Sequence, residues 1–336
     1  MLGAIIGDIV GSTREFNNYR TKDFNLFEKD SMFTDDTIMT IAICDFFLNE
    51  FRERDKITDK SIVDYMVEYG FNFPCPKGGY GGMFRKWLFQ THDRKPYNSY
   101  GNGSAMRVSS VGWLYDTMEK TLEKAKESAM PTHNHEEGIK GAQAIAACIF
   151  LARNGKSKDE IKEFVETEFH YDLNDTCDRL RETYRFDATC QGSCPQSIIA
   201  FLESTSFEDA IRNAVSIGGD SDTIGAMCGA IAEAYYGIPR LIKERALSCL
   251  PSRFKEVIEE FSKYAKERKL NENDENEKKH VSNAWKMLYC LFEDMKKYMD
   301  NMLDENKGVI KRTSLLKILD YFNKGVRNIF SSNDLE

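Results

Sequence analysis

The sequence predicts an all-α fold with a helical extension at its C-terminal end. Apolar residues recur at spacings of three and four over most of residues 1–265, which is the period of amphipathic helices. Period-two alternation and runs of Val, Thr and Ile are scarce, so strands are not predicted. Several runs consist mainly of small apolar residues, which allow helices to pack closely.

The first predicted helix covers residues 1–16 and is buried. Glycines recur along it every four residues: Gly3, Gly7 and Gly11. Small residues at that spacing let another backbone approach closely, and this outweighs the low helix propensity of glycine. On this helix, spacings of four and then three place Asp8, Ser12 and Glu15 on one face.

A second helix is predicted over residues 35–53, with Thr34 or Asp35 near its N-terminal cap. A short amphipathic helix follows at 61–70. The next two segments, 74–82 and 97–103, are loops rich in glycine. Such loops present backbone N–H groups to phosphates, and the tyrosines of the second loop are suited to stacking on a base. Ordinary turn chemistry explains the composition of both loops equally well.

Further helices are predicted beyond these loops, at residues 138–151, 157–168, 194–203, 206–216 and 223–235. His133 and His135 lie two positions apart and do not share a helical face, which disfavours a two-histidine metal site. We interpret them as the cap region of the helix that follows.

The clearest boundary is the polar run 266–280, which we interpret as a charged linker. Apolar residues then recur at three and four again, which predicts a C-terminal helical hairpin over 281–336. The predicted organisation is therefore a catalytic domain at 1–265, the linker and the hairpin extension.

The composition is that of an ordinary globular protein. A net charge of −8 argues against nucleic acid or an anionic membrane as the main partner. The nine cysteines are scattered without a C-x-x-C pair, which is typical of reduced thiols. The apolar start has no basic segment and is interrupted by Asp8, so we expect neither a signal peptide nor a membrane span, and a cytoplasmic location.

Two acid-rich stretches carry the chemistry of the chain. Thr34, Asp35 and Asp36 precede one apolar run, and the stretch from Asp220 to Thr223 precedes another. Either stretch alone is typical of a helix N-terminus, where hydroxyls and carboxylates cap the backbone. Brought together, their four carboxylates would repel one another unless protons or cations neutralise them. Oxygen ligands without Cys or His favour Mg²⁺, Mn²⁺ or Ca²⁺, so the pair predicts a di-metal carboxylate site.

The order of the motifs resembles that of the ADP-ribosylglycohydrolase family, which includes the dinitrogenase reductase-activating glycohydrolases. The resemblance covers roughly residues 1–240 and includes the two acid stretches and the segment Asn-Gly-Ser-Ala-Met-Arg-Val at 102–108. The remaining motifs are Gly7 to Glu15, Gly79-Tyr80-Gly81, Ser99 to Gly101 and Thr132-His133.

The resemblance implies a compact orthogonal all-α fold, two Mg²⁺ or Mn²⁺ ions, and an ADP-ribose-conjugated protein or small molecule as substrate. The implied metal ligands are Thr34, Asp35, Asp36, Asp220, Asp222 and Thr223. Glu15 and Asp36 are the implied catalytic carboxylates. The implied substrate-binding residues are Gly79, Tyr80, Gly81, Tyr97, Asn98, Ser99, Tyr100, Gly101, Asn102, Gly103 and His133.

The expected reaction is hydrolysis of the glycosidic bond at ADP-ribose, through an oxocarbenium-like state that carboxylates stabilise. Glu15 would act as base or as acid. The lead Lys77-Gly78 into the first glycine loop is less usual for the family, and the acceptor stays open between arginine, serine, O-acetyl and related esters. Two other functions are weighed against this one: an inactive ADP-ribose-binding module and a di-metal phosphoesterase.

Overall fold

The structure is a computed structural model that describes residues 1–91 and 93–265. Within these residues the chain is helical and has no β-strand, and its two isolated backbone bridges join Thr34 to Lys77 and Gly101 to Thr189. The predicted all-α class is thereby confirmed. The predicted linker 266–280 and hairpin 281–336 lie outside the described residues. No helix in the described part is long and apolar enough to cross a membrane.

The α-helices are α1 (Leu2–Gly11), α2 (Asp35–Leu48), α3 (Ile62–Asn72), α4 (Gly82–Phe89), α5 (Gly103–Met106), α6 (Val111–Leu114), α7 (Met118–Ala129), α8 (Glu136–Arg153), α9 (Lys158–Phe169), α10 (Cys177–Thr183), α11 (Cys190–Leu202), α12 (Phe207–Ile217), α13 (Ser221–Tyr236) and α14 (Arg240–Ser248). A short 3-10 turn lies at Arg54–Lys56, and a further helical segment covers 252–265.

Hydroxyl caps fix where half of these helices begin. Each capping oxygen accepts a backbone N–H of the first turn, which satisfies a donor that the helix leaves free. The capping residues are Thr34, Ser61, Thr117, Ser157, Thr176, Thr189 and Ser206. The ring of His135 caps α8 in the same way, as expected for the 133–135 segment. α2 ends at Leu48, earlier than predicted.

The first helix also ends earlier than predicted, and this corrects the environment of Glu15. α1 stops at Gly11 with Ser12 as its C-cap, and the chain then turns. The side chain of Arg14 folds back onto the helix end, where it donates to the carbonyl of Val10 at 3.1 Å. The predicted face shared by Asp8, Ser12 and Glu15 is therefore wrong, because Glu15 lies beyond the helix.

Helices α1 and α13 form the centre of the core, and α13 also packs against α8, α11 and α12. Every residue of α1 is buried. Glycines on the two helices face each other, so the backbones nearly touch. A Cβ added to Gly7 would lie 1.9 Å from the carbonyl oxygen of Gly225, and one on Gly11 would lie 2.4 Å from the Cα of Asp222. This close crossing brings the end of α1 to the start of α13.

Candidate metal centre and substrate cavity

Asp8 joins the first acid stretch to α1. It is fully buried, and its Oδ2 accepts backbone N–H bonds from Thr34 at 3.0 Å and Thr37 at 3.1 Å, as well as the hydroxyl of Thr37. On the other side, the hydroxyl of Ser221 donates to the carbonyl of Gly11 at 3.1 Å. The N-termini of α2 and α13 are thus both held against α1, and their acid residues converge.

The two acid stretches are in direct contact. The hydroxyl of Thr223 donates to Oδ2 of Asp36 at 3.2 Å. Glu15, Asp220 and Asp222 each offer a carboxylate oxygen, and these three oxygens lie within 4.8 Å of one another. Glu15 reaches this group from the turn after α1 and is partly exposed, whereas Asp220 and Asp222 are buried.

Burial and mutual repulsion disfavour the charged form of these carboxyls. Burial raises the pKa of Glu15 to about 7, with the charge of Asp220 as the next cause. Burial raises the pKa values of Asp36 and Asp222 well above their usual range, and neighbouring carboxylates raise them further. The pKa of Asp220 is also raised by burial, although hydrogen bonds to its charged form oppose the shift. Such a group needs protons or cations to be stable at neutral pH.

The donor set fits divalent cations that prefer oxygen. In the described part of the chain, neither Lys nor Arg forms an ion pair with Asp36, Asp220 or Asp222. Oδ1 of Asp36 and Oδ1 of Asp8 are buried and have no hydrogen-bond partner among the described residues. Unpaired buried oxygens of carboxylates are costly, and a bound cation would remove that cost.

The remaining predicted ligands differ in position. Asp35 is partly buried and lines the same cavity as Asp36 and Thr223. Thr34 is buried at the cap of α2, where its hydroxyl accepts the N–H of Asp36 at 3.2 Å, and it is not among the cavity-lining residues. The capping role weighed for this stretch is therefore present together with the carboxylate cluster.

A cavity of about 390 Å³ opens beside the carboxylates. Most of the predicted substrate residues line it: Gly79, Tyr80, Gly81, Tyr97, Ser99, Gly101, Asn102, Gly103 and His133. Two do not. The backbone N–H of Asn98 donates to Oδ1 of Asn134 at 2.8 Å, and the ring of Tyr100 lies 5.3 Å from that of His135 and is 49% exposed.

The second glycine loop, residues 97–103, is hydrogen-bonded to one of the clustered carboxylates. The amide of Asn102 donates to Oδ2 of Asp220 at 2.8 Å, and its backbone N–H donates to the carbonyl of Ala188 at 2.8 Å. The backbone of Tyr100 accepts the N–H of Cys190 at 2.9 Å. A ligand that contacts this loop would therefore lie next to the carboxylates.

Several residues of the site were not predicted from the sequence. Asn18 pairs with both polar groups of the Gly219 backbone, at 2.8 and 3.0 Å, and also donates to the carbonyl of Glu15, so it links the Glu15 turn to the second acid stretch. Phe186 and Arg107 line the cavity. Asp8 carried a usable signal, a single carboxylate in an apolar helix, whereas Asn18 and Phe186 carried none.

Comparison with known proteins gives a family match. The family model described as ADP-ribosylglycohydrolase matches residues 1–277. The chain is 28% identical over 314 residues to the protein named ADP-ribosylhydrolase ARH3 of Xenopus tropicalis. This match covers 70% of this chain and 86% of that protein. It is 24% identical over 260 residues to ADP-ribosylarginine hydrolase Tri1 of Pseudomonas putida (strain GB-1), with coverage of 71% and 70%.

A solved structure has a similar fold. The structure titled "ADP-ribosylglycohydrolase-related protein complex" superposes with a TM-score of 0.55 at 23% identity, and the match covers 79% of this chain and 93% of that one. At that identity the likeness is one of fold, and it agrees with the all-α class.

Proposed function

The chain belongs to the ADP-ribosylglycohydrolase family and is a glycosyl hydrolase, and from this premise we propose that it is metal-dependent and cleaves the bond between ADP-ribose and an acceptor. The observation that carries the proposal is the carboxylate cluster at the edge of the cavity, in which the buried Asp36, Asp220 and Asp222 form no ion pair with a Lys or Arg of the described residues. The products are free ADP-ribose and the released acceptor.

The proposed metal ligands are Asp35, Asp36, Asp220, Asp222, Thr34 and Thr223, and the proposed ions are two Mg²⁺ or Mn²⁺. Oxygen-only donors support these ions over Zn²⁺ or Cu²⁺. Bound cations would supply neutralisation of the carboxylates and orientation of the ribose hydroxyls.

The protein's own residues perform the proton transfers. Hydrolysis breaks the bond from the anomeric carbon to the acceptor atom and joins the oxygen of water to that carbon, so water loses one proton and the acceptor gains one. Glu15 lines the cavity from a partly exposed position in the turn after α1, which supports assigning it this transfer. Asp36 is the proposed second carboxylate, whose charge supports the oxocarbenium-like state.

The remaining wall of the cavity binds ADP-ribose in this proposal. In the two glycine loops, the backbone N–H groups of Tyr80, Gly81 and Gly103 offer donors for phosphate oxygens, whereas those of Gly79, Gly101 and Asn102 already donate to groups of the protein. Tyr97, Ser99 and Asn102 add aromatic and hydrogen-bonding surface next to them. The name of the Tri1 relative specifies ADP-ribosylarginine, so an arginine conjugate is the first acceptor to test.

The test is product analysis with a panel of ADP-ribose conjugates of arginine, serine and acetate, in Mg²⁺ or Mn²⁺. The proposal predicts free ADP-ribose from at least one conjugate. Release of AMP would instead identify a phosphoesterase. Tight binding of ADP-ribose without any product would identify a binding module.

A further inference from the structure

We propose that Arg107 and Thr132 are positioning residues that hold the ring of His133 in a single tautomer, protonated at Nε2, so that it donates a hydrogen bond to an oxygen of the bound ligand. The inference rests on the proposed function, since it takes that ligand to be ADP-ribose. It concerns two residues that the reaction itself does not use.

The chain of contacts begins at a buried cation. Arg107 is 1% exposed and has no carboxylate partner in the described part of the chain. One of its terminal nitrogens donates to the carbonyl of Ser128 at 2.9 Å and to the hydroxyl oxygen of Thr132 at 2.9 Å. A guanidinium has only donors, so the oxygen of Thr132 must be the acceptor in this contact.

The hydroxyl of Thr132 then determines the state of the ring. Its oxygen lies 2.7 Å from Nδ1 of His133. Arg107 donates to this oxygen, and Nδ1 is the one acceptor that the described residues place within hydrogen-bond distance of the hydroxyl, so Thr132 donates its own proton to Nδ1. The neutral ring then carries its proton on Nε2.

The other ring nitrogen faces the substrate loop. A Cβ added to Gly103 would lie 3.1 Å from Nε2 of His133, and one added to Gly101 would lie 3.6 Å away. His133 lines the cavity, and none of the described residues forms a hydrogen bond with this nitrogen. Burial, and next the charge of Arg107, lower the pKa of His133 well below its usual range, so the ring is a neutral donor. Its partner must be an acceptor, such as an oxygen of ADP-ribose.

The experiment reads the tautomer directly in the full-length protein. Long-range ¹H–¹⁵N correlation on protein labelled with ¹⁵N-histidine gives separate patterns for the five histidines, and His133→Gln identifies the signals of His133. We expect a pyridine-type signal for Nδ1 and a pyrrole-type signal for Nε2. A pyrrole-type Nδ1 in the wild-type protein overturns the proposal without any variant.

Thr132→Val removes the hydroxyl and keeps the shape, and Thr132→Ser is the matched control that restores it. In Thr132→Val we expect a mixed or reversed tautomer pattern and a Kd for ADP-ribose raised about tenfold, the effect of misdirecting one hydrogen bond. Thr132→Ser should retain the wild-type pattern and affinity. Wild-type affinity in Thr132→Val, or a changed pattern in Thr132→Ser, overturns the proposal.

These outcomes are separable from those of the proposed function. Tautomer and affinity are measured without turnover, so a protein with the expected pattern that binds ADP-ribose but hydrolyses no conjugate contradicts only the function. A wild-type protein that shows the pattern but does not bind ADP-ribose overturns the ligand assigned to His133.

Discussion

The turn after α1 determines which surroundings the carboxyl group of Glu15 has. It follows the end of α1, so its side chain reaches the cavity, while Asp220 and Asp222 are buried beside it. It also lies close to Gly78, where an added Cβ would be 3.0 Å from Oε2 of Glu15. These surroundings support the proposal that Glu15 exchanges a proton with substrate or water.

We expect Glu15→Gln to reduce hydrolysis by roughly 10²–10⁴-fold, the usual contribution of general acid–base catalysis, because an amide cannot exchange the proton. ADP-ribose should still bind, since the contacts at 79–81 and 101–103 are unchanged. Initial rates and calorimetric binding check this, with the exposed Glu53→Gln as the control. Near-full turnover would make Asp36 the better candidate, and joint loss of turnover and binding would make Glu15 a positioning or metal-holding group.

The low pKa of His133 in the folded protein predicts that stability depends on pH. Its pKa in the folded protein lies well below the unfolded value of about 6.5, so the unfolded chain takes up the proton first. The neutral ring of His133 therefore contributes to the free energy of unfolding above about pH 6.5. This contribution is lost as the pH falls below that value, by at most about 1.4 kcal/mol per pH unit. Between about pH 7.5 and about pH 5.5, the free energy of unfolding should fall more steeply in the wild-type protein than in His133→Gln. Parallel curves in denaturant titrations would contradict this.

At the scale of elements, the crossing of α1 and α13 determines whether a site exists at all. The glycine contacts allow the end of one helix to meet the start of the other. Asp8 then ties α2 to the same point. Three helix ends are thus brought together, and the contacts of Gly11 with Asp222 and of Asp8 with Thr34 include residues of the proposed metal site.

Gly7→Ala should therefore destabilise the protein by about 1–3 kcal/mol or more, because the new methyl group overlaps the backbone of α13. Gly82→Ala is the matched control. It lies in α4 with nothing within 4 Å of an added Cβ, and it should be neutral or stabilising by a few tenths to about 1 kcal/mol. Equal free energies of unfolding for the two variants would rule out the close crossing.

Local patterns account for what could be predicted from the sequence. Helical periodicity, hydroxyl caps and acid stretches are each contained within a few residues, and the all-α class and the glycine loops follow from them. The end of α1 could not be predicted, because it depends on the side chain of Arg14. This side chain folds back to donate a hydrogen bond to the carbonyl of Val10 and another to the carboxylate of Glu28, fourteen residues away. The links from Asn18 to Gly219 and from Asn102 to Asp220 join residues far apart in the chain, and a single sequence gives no sign of such pairs.

At the scale of the whole molecule, we propose that 1–265 is the catalytic domain, 266–280 a linker and 281–336 a helical extension. The helix at 252–265 belongs to the first of these. Phe254 is fully buried, with ring centroids 5.3 Å from Phe33 and 4.9 Å from Phe73, and Arg52 pairs with Glu260. This helix therefore supports the segment that enters the first acid stretch.

A chain ending at residue 265 should fold cooperatively and keep its metal ions, whereas one ending at residue 251 should be much less stable because it loses Phe254 from the aromatic cluster. Thermal melting and metal content of both chains check this. An insoluble or molten chain ending at 265 would show that the extension completes the core and that the proposed boundary is wrong.

The central claim is that the buried carboxylates hold divalent cations, and the most direct measurement is the number of ions bound per chain. Elemental analysis of the protein after equilibration with Mg²⁺ or Mn²⁺ should give two ions for the wild-type chain and fewer for Asp222→Asn, with Asp172→Asn as an exposed control that keeps two. Chelation should lower the melting temperature of the wild-type protein, because the bound ions stabilise the folded state. A wild-type chain without bound ions, or an Asp222→Asn chain with two, would contradict the account.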